Sequence, residues 1–115
     1  MNLLTETLET MNHHGLTEDD VLYVNVPLEY FSDETGKFVT ENHYITFEQF
    51  KSIANVTYDS GYGSAEVNVN TIIVFKSGVM HRHEYDGAEW WEYIELPQNV
   101  PFDMTTDKVK LFYEL

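Results

Sequence analysis

The sequence predicts a single α+β domain in which an antiparallel β-meander of four to five strands packs with two short helices. Two segments have the apolar spacing of amphipathic helices, and three β-rich runs follow one another, separated by short glycine-containing turns. Helices kept apart from consecutive antiparallel strands are typical of the α+β class. With 115 residues, 43% of them hydrophobic, we expect residues 1–115 to form one domain with one core.

The first helix is predicted from apolar spacing. Leu4, Leu8 and Met11 recur at helical intervals, which indicates a helix over about residues 2–13 that stops at Gly15. The next stretch, "LTEDD", indicates a turn or a short helical cap. The run "VLYVNV" is rich in β-branched residues and predicts a strand that ends before a proline. Beyond it, "FSDETGKFV" sets a polar turn between aromatic residues, which fits either a loose hairpin or an irregular excursion.

The second helix has a well-specified start. Thr46 and Gln49 have the spacing of a capping box, and Ile45 with Phe50 match a hydrophobic staple. The turn-rich loop "YDSGYG" separates this helix from the strands that follow. We expect the helix to bury one apolar stripe, formed by Phe47, Phe50, Ile53 and Ala54.

Three strands then follow in meander order. The runs "TIIVFK", "VMHRHEY" and "AEWWEYIEL" are joined by a Ser-Gly pair at 77–78 and an Asp-Gly pair at 86–87. An Asp-Gly pair between β-rich runs predicts a hairpin with a type I′ turn, which needs positive φ at both central residues. Pro97 and Pro101 end the regular ladder, and the tail "DKVKLFYEL" alternates enough to predict a last strand.

Counting outward from these turns predicts which side chains share a face. The Asp-Gly turn sets His81 opposite Glu92, and the Ser-Gly turn sets Val74 opposite His81. Both faces are rich in aromatic residues, so the pattern does not decide which one contacts the helices. One face would carry Ile72, Val74, His81, His83, Trp90 and Glu92, and the other Ile73, Phe75, Met80, Arg82, Trp91 and Tyr93.

The His-x-His pair indicates a metal site as one hypothesis. On a strand, His81 and His83 point to the same side with α-carbons about 7 Å apart, and Glu92 lies across from His81. Two imidazoles and a carboxylate form a ligand set for transition metals, which would suit a small metal-dependent enzyme. The alternative is a structural histidine pair, stacked on Trp90 and bonded to Glu92. No other histidine lies in a comparable strand, so we expect no cofactor.

Other catalytic patterns have less support. The chain has no cysteine nucleophile, no serine in a nucleophile elbow and no glycine-rich phosphate loop before a helix. Glu84 and Glu89 would face each other across the hairpin, as in carboxylate-pair hydrolases. Near the end of a hairpin, however, we expect both carboxylates to be solvated. The sequence therefore favours a binding protein over an enzyme.

The net charge of the chain limits which classes of molecule it could bind. Twenty acidic residues against six basic ones give a net charge of −14, so nucleic acid and anionic membranes repel the chain. We expect a cytoplasmic protein, because no run approaches the roughly 20 apolar residues of a membrane span and the N-terminus lacks a basic signal region. Fourteen charges correspond to about 24 Å of duplex DNA, and a domain about 35 Å across would have a comparable charge per length. This density permits nucleic-acid mimicry, whereas the simpler interpretation is that acidity maintains solubility.

The predicted contact surface is the aromatic and acidic stretch at residues 81–93. Indole and phenol rings among carboxylates can bind arginine and lysine through cation–π contacts and salt bridges. We expect Trp90 or Trp91 to be the anchor, unless Arg82 occupies Trp91 within the chain. The glycine loop around Asp59 would add to the same edge. Four acidic residues would supply the charge: Glu84, Asp86, Glu89 and Glu92.

Two motifs, "YDSGYGSAEV" and "RHEYDGAEWWEY", resemble a group of small acidic proteins encoded by phages and prophages of Gram-positive bacteria. The stretches "GLTEDDVLYV" and "ITFEQFKSIANVTYDSGYG" fit the same pattern, so the resemblance covers most of the chain. It implies an accessory protein that counters host defence, such as an anti-CRISPR or anti-restriction inhibitor that occupies the nucleic-acid groove of a nuclease. It implies no catalytic residues. A structural or assembly module of a phage is a further alternative.

Overall fold

The computed structural model describes residues 1–59, 64–102 and 104–113 and confirms the α+β class. Two α-helices accompany a five-stranded antiparallel sheet and a separate two-stranded hairpin. The helices are α1 (Leu3–His13) and α2 (Phe47–Ala54), and a 3₁₀ turn (Glu18–Asp20) precedes β1. The strands are β1 (Val21–Asn25), β2 (Leu28–Ser32), β3 (Lys37–Glu41), β4 (Tyr44–Ile45), β5 (Ile72–Phe75), β6 (Gly78–Tyr85) and β7 (Ala88–Glu95).

The large sheet has the strand order β4-β1-β5-β6-β7, and its last three strands form the predicted meander. Strand alternation gives it an inner face that meets the helices and an outer face that the helices do not cover. The inner face is the one that carries Ile73, Phe75, Met80, Arg82 and Trp91, all of them buried. The core consists of Leu3, Met11, Val24, Phe47, Phe50, Ala54, Tyr58, Ile73, Phe75, Met80 and Trp91.

The predicted register is confirmed for the β6–β7 pair and is wrong by two residues for the β5–β6 pair. Ile72, rather than Val74, lies opposite His81. The turn therefore lies one residue earlier than predicted, and Gly78 begins β6. A Cβ on Gly78 would lie 2.2 Å from the backbone oxygen of Ile94. A glycine is therefore needed here because β7 approaches closely, and not because of the turn. Because a two-residue shift preserves alternation, the composition of each face stays as predicted.

Helix α1 occupies the predicted segment but buries a different stripe. Asn2 caps it by accepting a hydrogen bond from the backbone N–H of Thr5. Leu8, predicted to lie in the apolar stripe, is 39% exposed. The helix is rotated because two of its polar side chains bond to residues of the sheet. Its buried residues are Leu3, Glu6, Thr7 and Met11.

Helix α2 begins with the predicted capping box. The Thr46 hydroxyl accepts the Gln49 N–H at 3.1 Å, and the Gln49 side chain accepts the Thr46 N–H at 2.9 Å. Phe47, Phe50 and Ala54 are buried as predicted. Ile53, predicted to join them, is exposed, because the stripe that meets the sheet spans only three positions of this two-turn helix.

Two other segments extend from the body. The stretch "FSDETGKFV" belongs to the regular hairpin β2–β3, whose side chains are mostly exposed. The tail predicted as a last strand is not one in its described residues 107–113: Val109 donates to the Thr106 oxygen in a turn, and no strand lies beside it. Of the predicted loop at 58–63, residues 60–63 lie outside the described residues.

Candidate functional site

The inner side of the β6–β7 hairpin holds a buried charged cluster around Arg82. Its Nη1 bonds to the Glu6 carboxylate, and its Nη2 donates to Glu89 at 3.0 Å and to the Tyr58 hydroxyl at 3.1 Å. The guanidinium carbon lies 4.9 Å from the centroid of the Trp91 ring. This confirms the alternative in which Arg82 occupies Trp91 within the chain.

The prediction that Glu89 and Trp91 contact a partner is wrong, because both residues are buried. Each is only 5% exposed, so neither can contact a partner. Glu89 binds Arg82 and also accepts the backbone N–H groups of Glu66 at 2.8 Å and Val67 at 3.2 Å. The Trp91 Nε1–H donates to the Thr7 hydroxyl at 2.9 Å. The expectation that Glu89 is solvated like Glu84 is wrong. The two lie opposite each other on the inner side, but Glu89 is covered by the segment at 66–67 and by Arg82, whereas Glu84 is exposed.

The cluster perturbs its titratable groups. Burial, together with the hydrogen bond that its hydroxyl donates to Glu6 at 2.5 Å, raises the pKa of Tyr58 to about 12. Burial alone would lower the pKa of Arg82, but its bonds to Glu6, Tyr58 and Glu89 outweigh this and raise that pKa. With its charges paired inside the protein, the cluster joins α1 to the hairpin and to the segment around Tyr58. Its role is structural.

The outer side of the hairpin brings together the histidines, Trp90 and Glu92, as the register predicted. The half-buried Trp90 donates its Nε1–H to Glu92 at 3.2 Å, and its ring centroid lies 4.9 Å from that of His83. Nε2 of His81 and Nδ1 of His83 each lie 3.9 Å from Oε2 of Glu92. Part of the structural alternative is present: His83 lies beside the Trp90 ring, whereas both histidine nitrogens are too far from Glu92 for the expected hydrogen bond.

The metal hypothesis finds no coordination site in the described part of the chain. No group of three or more histidine, aspartate or glutamate side chains there is arranged to hold a metal ion. His81, His83 and Glu92 are close, but the 3.9 Å between each histidine nitrogen and the carboxylate is not a hydrogen bond, and Glu92 accepts one from Trp90 instead. The set therefore stays a hypothesis without a described binding geometry.

The end of the hairpin is exposed and acidic. Asp86 and Gly87 have φ of 50° and 86°, which confirms the type I′ turn. Glu84 and Asp86 are exposed, and so is Tyr85, at 74%, which sequence reasoning missed. We call the following set the hairpin-tip patch: Glu84, Tyr85, Asp86, Trp90 and Glu92.

Asp59 is linked to the hairpin from its inner side. Its backbone N–H donates to the Glu66 carboxylate at 3.0 Å, and the backbone N–H of Glu66 donates to Glu89. Glu89 lies opposite Glu84, a member of the hairpin-tip patch. That Asp59 and the patch share one contact edge stays a prediction.

Negative charge is spread more widely than expected. The radius of gyration is 18.0 Å and the longest extent is 52 Å, because the β2–β3 hairpin and the tail extend from the body. A net charge of −14 along 52 Å is about one charge per 4 Å, against about one per 1.7 Å of duplex DNA. The whole molecule therefore does not match the charge density of nucleic acid, as the expected diameter had suggested.

A second concave site is an apolar groove of about 290 Å³. Helix α2 forms one wall, the segment at 66–71 forms another, and Tyr58 and Trp91 also line it. Its polar side chains are already engaged: Asn68 donates to the Pro27 oxygen, and Glu66 accepts from Asp59. The groove thus offers few groups that could orient a polar ligand.

Sequence reasoning missed the acid and hydroxyl groups that complete the buried cluster. Their spacing in the sequence could have predicted them. Leu3, Thr7 and Met11 also recur at helical intervals, and Glu6 lies on the same side of the helix. An arginine predicted on an aromatic strand face also requires acidic partners if that face is buried. These two observations together would have indicated Glu6.

No helix in the described ranges is long and apolar enough to cross a membrane. Comparisons of the chain with protein-family models, with curated proteins and with solved structures find no match.

Proposed function

We propose that the protein acts by binding, and that its hairpin-tip patch docks on a basic surface of a nucleic-acid-binding protein. The observation that carries this proposal is the orientation of Arg82. It is the only lysine or arginine between Gly78 and Glu95, and it is turned into the core. The carboxylates of the hairpin-tip patch therefore have no lysine or arginine of the hairpin beside them, and only His81 and His83 lie near Glu92, at 3.9 Å.

The patch has the chemistry of an anchor site for arginine and lysine. Trp90 and Tyr85 offer ring faces to a cation, and Glu84 and Asp86 supply carboxylates at the rim. The Trp90 ring is oriented in advance by its bond to Glu92, and the strands beneath are held by the buried Arg82 cluster. Such preorganisation lowers the entropic cost of binding.

The resemblance of the motifs to phage and prophage proteins supplies the class of partner. We propose that the partner is a nuclease of bacterial host defence, such as a CRISPR effector, which the protein would bind in the cytoplasm of the host cell. The acidic patch would occupy part of a channel that normally binds nucleic acid, so any mimicry is local to the patch. Long-range attraction from the net charge of −14 would speed association.

The test is capture of proteins from a lysate of a Gram-positive bacterium at low and at moderate salt, followed by a nuclease assay of the captured protein. We compare the native chain with Glu84→Gln/Asp86→Asn and with Trp90→Ala. The control for charge is Glu9→Gln/Asp19→Asn, which removes two exposed acids elsewhere. The control for an exposed ring is Phe38→Ala in β3.

We expect a basic nuclease to be retained and inhibited by the native chain, and Trp90→Ala to weaken binding by about 2 kcal/mol, or about thirtyfold in Kd. Both controls should bind like the native chain. Equal losses in the patch variant and in its charge control would show nonspecific attraction and contradict the proposal. Retention of virion proteins alone would favour the assembly module instead.

A further inference from the structure

We propose that residues 108–113 of one copy add as a sixth strand to the edge of β7 in a second copy, and that reciprocal exchange makes the protein a dimer. This inference goes beyond the proposed function and does not depend on it. Four observations support it: an open strand edge, an exposed apolar tail, complementary charge and a connection that leads away from the body.

The open edge is the edge of β7 that does not pair with β6. Strand β7 has eight residues and lies at the end of the sheet. In a two-residue hairpin the residues that flank the turn form a hydrogen-bonded pair, and such pairs alternate along the strands. The backbone groups of Glu89, Trp91 and Tyr93 therefore point away from β6. Among the described residues, no other segment makes a backbone hydrogen bond to them. An open edge of this length is a template for strand addition.

The tail carries large apolar side chains without a core. Leu111, Phe112 and Tyr113 are each at least 85% exposed, and Val109 is half exposed. Exposed clusters of this kind usually mark an interaction site, because large apolar side chains gain free energy when they are buried. In an extended conformation Val109, Leu111 and Tyr113 would lie on one side, with two lysines and Phe112 on the other.

Charge is complementary between edge and tail. Strand β7 carries two exposed glutamates, Glu92 and Glu95, and no basic residue, whereas the tail holds two of the six basic residues of the chain within three positions. The antiparallel register that sets Lys110 opposite Glu92 also sets Phe112 opposite Trp90. Lys110 would exchange its present contact for this one.

The same register places apolar side chains of the tail beside the core. Leu111 would lie opposite Trp91 and Val109 opposite Tyr93, on the inner side of the sheet. Helix α1 packs against β7 on this side and leaves Leu8 39% exposed. The added strand would thus extend both the sheet and the core. Of the hairpin-tip patch, Glu84, Tyr85 and Asp86 at the turn would stay uncovered, whereas Trp90 and Glu92 would border the added strand.

The connection favours a second copy over the chain's own edge. Pro97 and Pro101 fix their own φ and bias the residues before them to extended conformations. The described tail residues make no backbone hydrogen bond to β7, so the connection, restricted by two prolines, does not bring the tail back along its own strand edge. A stiff connection of this kind favours exchange between copies.

The test uses engineered cysteines, because the native chain has none. Ile94 and Lys108 would form a pair without hydrogen bonds, with α-carbons about 4.5 Å apart, within reach of a disulfide. Ile94→Cys and Lys108→Cys are made in separate chains, mixed and oxidised. We expect a disulfide-linked heterodimer. The control mixture, Ile94→Cys with Val109→Cys, puts the second thiol on the opposite side and should not cross-link.

Sedimentation of the full chain, without any partner, gives the second measurement. We expect a dimer, with Lys108→Glu/Lys110→Glu raising its dissociation constant at least about tenfold and Lys37→Glu/Lys76→Glu leaving it unchanged. Three outcomes would overturn the inference: a monomer at all concentrations, equal effects of the two charge reversals, or a disulfide that forms only when both cysteines are in one chain.

Discussion

Nη2 of Arg82 lies 3.0 Å from Oε1 of Glu89, and the side chains of both residues are closed to solvent. The two residues belong to the same hairpin, on a face that strand alternation turns toward the helices. One arginine thus bonds to two carboxylates, Glu6 and Glu89, and to the hydroxyl of Tyr58. This pairing leaves the opposite face of the hairpin, which carries Glu92, without an arginine.

Arg82→Met should destabilise the protein by about 3–5 kcal/mol, because it leaves two buried carboxylates without their cation. The measurement is urea unfolding at neutral pH. Lys37→Met, which removes an exposed cation from β3, should change the free energy of unfolding by no more than about 0.5 kcal/mol. If the two variants are equally stable, the cluster does not hold the hairpin to α1.

Thr7→Val should cost about 1–3 kcal/mol, because the buried indole N–H of Trp91 loses its acceptor while the size of the side chain is kept. Thr7→Ser retains the hydroxyl and should cost less than about 1 kcal/mol. Both values come from urea unfolding followed by tryptophan fluorescence. The opposite order of stability would show that the methyl group, not the hydrogen bond, is what matters at this position.

Stability should fall as the pH rises from 10 to about 12, because the pKa of Tyr58 is raised from 10.0 to about 12 in the folded protein. Over this interval the unfolded chain releases the Tyr58 proton while the folded protein still holds it, so deprotonation favours unfolding. The stabilisation is fully present below pH 10. In Tyr58→Phe this part of the alkaline loss should disappear, although the variant starts from a lower stability.

Ultraviolet titration of the eight tyrosines checks the same assignment. One of them should ionise about two pH units later than an exposed tyrosine, and Tyr58→Phe should remove that late step. The matched control is Tyr85→Phe, which removes an exposed ring hydroxyl and should leave the late step in place. A late step that persists in Tyr58→Phe would contradict the assignment.

Local patterns predicted most of the fold. The Asp86-Gly87 turn and the capping box of Thr46 and Gln49 are encoded within a few residues, so both were confirmed. The choice of buried face was not predictable in this way, because it depends on which partners Arg82 finds in distant segments. Glu6 lies 76 positions away along the chain. The predicted site failed for the same reason at Glu89 and Trp91, which bind not only Arg82 but also residues outside the hairpin: Glu89 accepts from the backbone at 66–67, and Trp91 donates to Thr7.

Gly78 caused the other error, the wrong register predicted for β5 and β6, because a glycine can be required either by a turn or by a close contact. Gly78→Ala should destabilise the protein by about 1–3 kcal/mol or more, because the new Cβ would lie 2.2 Å from the Ile94 oxygen and 2.7 Å from the Tyr93 hydroxyl. Tyr93 cannot easily yield, since its hydroxyl lies 2.7 Å from that of Ser77 and its ring packs edge-on against Phe75. Gly36→Asn is the control: its surroundings are open, and asparagine tolerates the positive φ of 67° there, so its stability should stay within about 0.5 kcal/mol. Unfolding in urea gives both values, and hydrogen exchange should show the loss of protection in Gly78→Ala concentrated at the β6–β7 ladder. If Gly78→Ala is as stable as Gly36→Asn and keeps that protection, the two strands do not approach each other as closely at this point as the structure indicates.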